Sequence, residues 1–347
     1  MRRTSSSGVT GAAGSRAEAR CVVILAGDIG GTNARLGLFE PGAPRPSLVA
    51  FETYASREGS LKEHLLAFRS RHGQQLEAAV IGIAGPVAAG RVATPNLPWT
   101  VEAAELARVL GVREVVLMND LEALAWSLDL LAPEAIAELQ PGGADASGGR
   151  ALIAAGTGLG EVALARAGER TVVLASEGGH ADFAPRTEVE IALLRWLVAR
   201  HGRASWERVL SGHGLHEVYR FLRETRPGEE PAWLSEELRA GDPAAVISGA
   251  ALEGRSDLCA EALDLFASIY GAEAGNLALR ALATGGVYLG GGIAPRILPW
   301  LRRPPLLAAF VAKGRLRPLL EDTPVRVILD TRAGLLGAAR RALERSA

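Results

Sequence analysis

The stretch GDIGGTNARLGLFE, residues 27–40, contains a glycine-rich turn between two apolar segments. The run before the turn, CVVILAG at 21–27, is typical of a buried strand. The segment after it places Ala34, Leu36 and Leu38 on one face, as a half-buried strand does. Together these pieces predict a β-hairpin. Because glycine has no Cβ, its turn lets backbone N–H groups approach an anion closely.

This turn differs from the two most familiar phosphate loops. The pattern GxxxxGK[ST] is absent, because no glycine in the sequence is followed by lysine. A dinucleotide-binding GxGxxG motif needs a helix after the glycines, whereas a strand is predicted here. A phosphate would therefore sit on backbone amides, with Thr32 and Asn33 as side-chain donors, and Asp28 could hold an accompanying Mg²⁺ through water. Taken alone, the turn is also compatible with an ordinary hairpin.

The same order of elements recurs in the second half of the chain. ALIAAGTGLGEVALAR, residues 151–166, again reads as strand, glycine turn and strand, after a Gly/Ala/Ser-rich break at 139–150. A third glycine turn, LGGGIAP at 289–295, leads from a strand to a helix and suits the sugar and base of a nucleotide. Two related α/β lobes with a cleft between them are expected, and one turn from each lobe can grip a polyphosphate.

Composition excludes several classes of protein. The chain has 347 residues, enough for two domains, and 48% of them are hydrophobic. A net charge of −1 argues against a nucleic-acid binder that depends on counterion release. Cys21 and Cys259 are too few for a disulfide framework or a cysteine zinc site. No apolar stretch reaches the roughly 18 residues of a membrane span, and we expect a cytoplasmic protein.

Two groups of polar residues are candidates for a site. Asn119 and Asp120 end an apolar strand, where α/β sheets present their ligands, and a helix is predicted over 121–131. Asp120 could accept a hydroxyl proton or simply cap that helix. Glu177 and His180, in SEGGH, could bond ring hydroxyls. A metal site and a plain surface pair are the alternatives, although two consecutive glycines disfavour the helix that a Glu-x-x-His metal pair would occupy.

Seven motifs, in order from about residue 21 to the C-terminus, resemble those of the bacterial ATP-dependent glucokinases: GDIGGTNARLGLF, TPNLPW, LMNDLEALAW, AAGTGLG, SEGGHADFAPR, ERVLSGHGL and GGVYLGGGIAPRI. That family belongs to the superfamily of actin, hexokinase and heat-shock chaperones. The resemblance implies an α/β fold of two ribonuclease-H-like (actin/hexokinase-type) lobes with an interdomain cleft. It also implies ATP with Mg²⁺, and transfer of the γ-phosphate to the 6-hydroxyl of D-glucose.

The resemblance further implies roles for individual residues. Asp120 would be the catalytic base, and glucose would contact six side chains: Asn96, Asn119, Asp120, Glu177, His180 and Glu207. Without the resemblance, Glu207 could not be told from an exposed helix charge. The nucleotide is expected on the glycine turns: Gly27, Asp28, Ile29, Gly30, Gly31, Thr32, Asn33, Gly156, Thr157, Gly158 and Gly291. Asp28 would hold Mg²⁺, through water.

The expected division is a smaller lobe of residues 21–130 with 331–347 and a larger lobe of residues 131–330, after a disordered tail at 1–20. Residues 225–257, rich in proline, glycine and acids, are predicted as a mobile surface excursion. Gly271 and Gly275 are four apart in a long helical stretch, 261–282, and would let another backbone approach closely. A homodimer is expected by analogy only.

Other interpretations make different demands on the sequence. Kinases of the ROK family, acting on another hexose or a hexosamine, usually carry a cysteine-rich zinc motif, and no cysteine lies between Cys21 and Cys259. A sugar-sensing regulator would need a helix-turn-helix and a basic patch. A chaperone-like ATPase would need no sugar-binding residues. Glu161, directly after the second turn, would disfavour a polyphosphate unless it points away or meets the metal.

Overall fold

The computed structural model describes residues 23–346 except 43–44, 74, 95–96, 144–147, 169 and 227–229. The predicted tail at 1–20 lies outside the described residues. None of the helices in the described part of the chain is both long enough and apolar enough to cross a membrane.

The described residues form thirteen strands and thirteen α-helices. The strands are β1 (Val23–Ile29), β2 (Asn33–Glu40), β3 (Ser47–Ala55), β4 (Leu76–Ile83), β5 (Arg91–Ala93), β6 (Thr100–Glu102), β7 (Val115–Asn119), β8 (Ile136–Gln140), β9 (Arg150–Ala155), β10 (Leu159–Ala167), β11 (Arg170–Ser176), β12 (Gly286–Gly290) and β13 (Val325–Ile328). The helices are α1 (Leu61–His72), α2 (Ala103–Leu110), α3 (Asp120–Trp126), α4 (Glu188–His201), α5 (Gly212–Thr225), α6 (Ala232–Ala240), α7 (Pro243–Leu252), α8 (Asp257–Ala281), α9 (Ile293–Arg296), α10 (Leu298–Leu301), α11 (Pro304–Phe310), α12 (Arg317–Glu321) and α13 (Ala333–Ser346).

Two large sheets repeat one arrangement of strands. The first has the order β3-β2-β1-β4-β7, and the second has the order β11-β10-β9-β12-β13-β8. In each sheet three antiparallel strands are followed by two that run parallel to the third. Both predicted hairpins are therefore confirmed, and the α/β fold has two lobes with the topology expected of ribonuclease-H-like domains.

Alternating side chains let helices cover both faces of the first sheet. Leu25 and Ile29 of β1 pack in the core formed with α1 and α2. Ile24 and Ala26, at the alternate positions of the strand, pack instead against residues of α13 such as Leu336. This alternation has the period of two that a strand imposes.

Helix α3 joins the two lobes. Leu121 and Ala125 pack on the second sheet, whereas Ala123 packs in the core of the first. The close approach depends on glycine: a Cβ on Gly160 would fall 2.6 Å from Leu121 Cδ2, and one on Gly337 would fall 1.7 Å from the Ala123 carbonyl oxygen. The end of β7 is thereby brought against the second lobe.

Two predictions about helices had different outcomes. The close-approach role of Gly271 and Gly275 is confirmed, because a Cβ on Gly271 would lie 1.9 Å from a backbone oxygen of α11 and one on Gly275 2.6 Å from another. The helix predicted over 121–131 is too long: α3 ends at Trp126 and a 3₁₀ turn follows. Ser127 Oγ donates to the Leu124 carbonyl (2.7 Å), which satisfies an end group of the helix.

The surface excursion predicted at 225–257 is wrong for the described residues of that segment, most of which form α6 and α7. Leu234 of α6 and Ile247 of α7 are fully buried in the core of the second lobe. Their apolar positions stabilise the helices by packing, which outweighs the proline and glycine content of the segment. Asp242 caps α7 by accepting from the N–H of Ala244 (3.1 Å).

Candidate active site

Asn119 and Asp120 lie where β7 ends and α3 begins. Asn119 Oδ1 accepts hydrogen bonds from the N–H groups of Leu121 (2.9 Å) and Glu122 (3.3 Å), so Asn119 is the N-cap of α3. Asn119 Nδ2 donates to the carbonyl oxygen of Gly85 (3.3 Å). Asp120 Oδ1 also accepts from the N–H of Leu121 (2.9 Å), but the helix already has its cap.

The Asp120 carboxyl lines a cavity of about 220 Å³ that also receives the side chains of Asp28, Arg35 and Asp330. We call this space the acidic cavity. Arg35 Nη1 lies 3.2 Å from Asp28 Oδ2 and forms an ion pair with it. Asp28 and Asp330 each have an arginine partner, Arg35 and Arg332 (3.3 Å from Arg332 Nε to Asp330 Oδ1), so the carboxyl of Asp120 has the least compensated charge in this cavity.

Burial changes the acidity of both aspartates. Burial raises the pKa of Asp28, and the charge of Arg35 opposes this rise. The pKa of Asp120 rises to about 6, first because of burial and second because of the charge of Asp28. The N–H of Leu121 lowers the pKa of Asp120 in part. Asp120 therefore changes its ionisation close to neutral pH, which suits a group that accepts a proton.

The two predicted phosphate turns face each other across a second cavity of about 530 Å³. We call this space the glycine cavity. The first turn, closed by a hydrogen bond from the Gly30 N–H to the Asn33 carbonyl (2.9 Å), also contributes Gly31 and Thr32 to the wall. The second turn is closed by a hydrogen bond from the N–H of Gly156 to the carbonyl of Gly158 (2.8 Å), and Gly156 and Thr157 line the opposite wall.

The third glycine turn separates the two cavities. Gly291 lines the acidic cavity and has a φ of 80°, with room for no side chain: a Cβ would fall 2.3 Å from the Ala155 carbonyl oxygen. Gly292 lines both cavities. The glycine cavity is completed by α7, through Ser248 among others, and by Asp242, the N-cap of that helix.

Glu177, His180 and Glu207 form one cluster. His180 Nε2 lies 3.9 Å from Glu177 Oε2, and His180 Nδ1 lies 3.9 Å from Glu207 Oε1. Glu207 is tied to the second turn, because its Oε2 accepts from the N–H of Leu159 (3.0 Å). Its own N–H donates to the carbonyl of Gly179 (2.8 Å). The charge of Glu177 also contributes to the raised pKa of Asp120. His180 and Glu207 themselves line a separate cavity of about 310 Å³, together with Thr157 of the second turn.

Some predicted residues are not placed on the cavities. Gly27 and Ile29 are inside β1, and a Cβ on Gly27 would fall 2.7 Å from Ile81 Cδ1, so packing accounts for that glycine. Gly158 lies beneath Glu207, where a Cβ would fall 2.4 Å from Oε2. Asn96 lies outside the described residues.

Glu161 follows the second glycine turn directly, but its side chain points away from that turn. Its side chain is 1% exposed and points away from the second turn into the core, where Arg280 Nη2 lies 3.0 Å from its Oε2. Glu161 therefore places no charge on the glycine cavity. Within the described residues, there is no cluster of three or more histidine, cysteine or acidic side chains arranged to hold a metal.

Arg35 and Gly334 are site residues that the motifs did not identify. Arg35 lines both cavities. The sequence around it could have indicated this, because in β2 it stands between Ala34 and Leu36, on the polar face of the strand. No pattern in the sequence around Gly334 indicates its place in the site. It approaches Asp28 from α13, and a Cβ there would fall 3.0 Å from the Asp28 carboxyl carbon.

Comparisons with known proteins identify the family of the chain. A family model described as glucokinase matches residues 25–345. A glucokinase from Nostoc punctiforme is 40% identical over 333 residues, covering 91% of this chain and 98% of the relative. The crystal structure of a glucokinase from an Antarctic psychrotroph has a TM-score of 0.81 at 29% identity, with 93% of this chain and 99% of that chain covered. A ROK family glucokinase from Streptomyces griseus, solved with glucose and AMPPNP, shares the fold at a TM-score of 0.66 and 23% identity, with 93% and 99% covered.

Proposed function

This chain belongs to the glucokinase family, and on that basis we propose that it transfers the γ-phosphoryl group of ATP to the 6-hydroxyl of D-glucose, giving glucose 6-phosphate and ADP. The observation that carries the proposal is the adjacency of two spaces. The carboxyl of Asp120 lines one, both glycine turns line the other, and Gly292 and Arg35 line both. A phosphate chain and an alcohol can therefore meet beside one buried acid.

The reaction needs Asp120 to orient the glucose 6-hydroxyl and to take its proton. In phosphoryl transfer the transition state is loose, so the proton leaves late and positioning matters as much as basicity. The pKa of Asp120, raised to about 6, lies close to neutral pH and supports this role. Glucose would be held by Asn119 with Glu177, His180 and Glu207, and by Asn96. A cage of polar groups discriminates against sugars that leave those groups unpaired.

The triphosphate would lie on the turns at 30–33 and 156–157, with the base towards α7. Arg35, which lines both cavities, would bring positive charge to the phosphates. Mg²⁺ fits the carboxylate of Asp28, because carboxylate oxygens and water are its preferred ligands. When bound, the ion neutralises charge on the phosphate oxygens.

We propose the lobe division given by the sequence, with residues 331–347 returning to the smaller lobe. Packing of α13 on β1 and β4 supports that return. Sugar binding would close the lobes and exclude water, which limits hydrolysis of ATP. A cytoplasmic location and a homodimer stay predictions.

The test is a coupled assay of the purified protein against a panel of hexoses and phosphate donors. Glucose with MgATP should give the highest kcat/KM among glucose, mannose, fructose, glucosamine and N-acetylglucosamine. ADP and polyphosphate should be poor donors. A higher kcat/KM for another hexose or another donor would replace that part of the proposal.

A further inference from the structure

Glu161 and Glu273 form a buried acid pair in the second lobe. Glu161 of β10 is 1% exposed, and Glu273 of α8 is 0% exposed. Arg280 lies 3.0 Å from Oε2 of Glu161 and also donates to Oε1 of Glu273. Oε2 of Glu273 accepts from Asn276 Nδ2 (2.8 Å), whereas Oε1 of Glu161 has no hydrogen-bond donor among the described residues. A buried carboxyl oxygen without a donor is costly unless the carboxyl carries a proton.

The carboxyl of Glu161 lies directly under the segment that carries two of the proposed glucose ligands. A Cβ on Gly178 would fall 2.3 Å from Glu161 Oε2, so the backbone rests on this carboxyl. Ser176 Oγ donates to the Glu161 carbonyl (2.8 Å) and accepts from the N–H of Gly178 (3.2 Å). Glu177 and His180 flank that contact. We call residues 176–180 the His180 loop.

The proposal rests on the glucose kinase function given above. We propose that Glu161 is a positioning residue for glucose: its buried carboxyl, held by Glu273 and Arg280, supports the His180 loop and fixes where Glu177 and His180 meet the sugar hydroxyls. Glu161 itself touches neither substrate. Its effect is therefore expected on glucose binding, with ATP binding left nearly unchanged.

The uncharged form of Glu161 is the one that supports the loop. Burial raises the pKa of Glu161, the charge of Glu273 raises it further, and Arg280 opposes the rise. Lys313, whose Nζ donates to a backbone carbonyl of α8 (2.8 Å), is a second cation near the pair, and β11 presents the uncharged Ser176. A protonated Glu161 can donate to Glu273, whereas two carboxylates repel each other. The loop should therefore loosen as the pH rises through the pKa of Glu161.

Two substitutions separate the shape of this side chain from its charge. Glu161→Ala removes the support, and we expect the KM for glucose to rise about 10-fold or more while the KM for ATP changes less than about 2-fold. Glu161→Gln keeps an acceptor for Arg280 and a donor for Glu273, and its KM for glucose at pH 7 should stay within about 3-fold of the parent.

The pH dependence distinguishes positioning from a structural role. The KM for glucose of the parent protein should rise at alkaline pH, and that of Glu161→Gln should stay flat because the amide has no proton to lose. Glu230→Ala is the matched control. Glu230 is also shielded and accepts from Tyr219 (2.6 Å) and Arg223 (3.1 Å), away from the His180 loop, so its loss should lower the melting temperature without changing the KM for glucose.

Hydrogen exchange of the ligand-free proteins tests the contact without any assay of activity. Amides of the His180 loop should exchange faster in Glu161→Ala than in the parent or in Glu161→Gln. This readout also applies to a Glu161→Ala protein that is too unstable for kinetics at assay temperature. An unchanged loop, or a KM for glucose in Glu161→Ala equal to that of the parent, would overturn the inference. Absence of glucose phosphorylation by the parent would instead refute the proposed function and leave the exchange result to decide the contact.

Discussion

The carboxyls of Asp28 and Asp120 share one cavity, and the charge of Asp28 is, after burial, the largest cause of the raised pKa of Asp120. Each acid comes from a different strand of the first sheet: Asp28 lies in β1, and Asp120 follows β7. Asp28 has Arg35 as a partner at 3.2 Å, which leaves Asp120 with the less compensated charge. The acidity of one residue therefore depends on the partner of the other.

Activity should fall on the acid side of neutral pH. Asp120 can accept a proton only when it is ionised, and its pKa is raised to about 6, so kcat/KM should rise with pH through about that value. A cation beside Asp28 would remove repulsion, so the inflection in kcat with saturating MgATP should lie at lower pH. Initial rates between pH 4.5 and 8 measure both profiles. A profile that stays flat down to pH 4.5 would contradict the assignment of Asp120 as the base.

Asp120→Asn should lose turnover while gaining stability. Loss of the base should lower kcat by at least about 100-fold, with the KM for glucose changed only a few-fold. The folded pKa of Asp120 lies above its unfolded value, so the parent protein loses stability as the pH rises from about 4 to about 6. The asparagine variant avoids this loss and should be more stable at pH 7 by on the order of 2 kcal/mol.

Denaturant unfolding at pH 4 and at pH 7 measures that difference, which should be nearly absent at pH 4. Near-normal turnover in Asp120→Asn would remove Asp120 from its proposed role. Equal stability of the two proteins at pH 7 would mean that the ionised carboxylate is better solvated than its burial indicates.

Two substitutions at Asn119 should separate its cap from its contact with sugar. Asn119→Ala removes the acceptor for Leu121 and Glu122 and should lower the free energy of unfolding by about 1 kcal/mol. Asn119→Ser keeps a capping oxygen and should lose less of the free energy of unfolding than Asn119→Ala. Both lack the amide, so both should raise the KM for glucose. If Asn119→Ser restores both stability and KM, the residue acts only as a helix cap.

Adjacent glycines in the third turn should respond differently to one methyl group. Gly291→Ala combines a φ of 80° with a Cβ 2.3 Å from the Ala155 carbonyl oxygen, so it should cost more than about 2 kcal/mol of stability. A Cβ on Gly292 meets nothing within 4 Å, so Gly292→Ala should fold normally. Because Gly292 lines both cavities, the KM for ATP of Gly292→Ala should still rise. Melting curves and ATP titrations measure the pair, and equal stability of the two variants would refute the steric argument.

Features encoded locally were predictable from the sequence. Both hairpins follow from period-two alternation around glycines, and the carboxyl end of β7 placed Asn119 and Asp120 at a ligand-binding edge. Roles set by distant contacts were not predictable. Nothing near Gly334 in the sequence indicates its approach to Asp28, and no local pattern shows whether Glu161 points to the turn or to the core. The cavity wall from α7 was also missed, because proline and glycine obscured the apolar spacing around Ile247.

Helix α3 has a mechanical consequence. It packs on the second sheet and on α13, which covers the first sheet, through contacts so close that a methyl group on Gly160 or Gly337 would collide with it. An element that packs tightly against two bodies is displaced least when those bodies rotate relative to each other. If the two lobes rotate towards each other, Asp120, at the first turn of this helix, lies near the rotation axis and moves least. The lobes then bring the nucleotide and the hexose towards it.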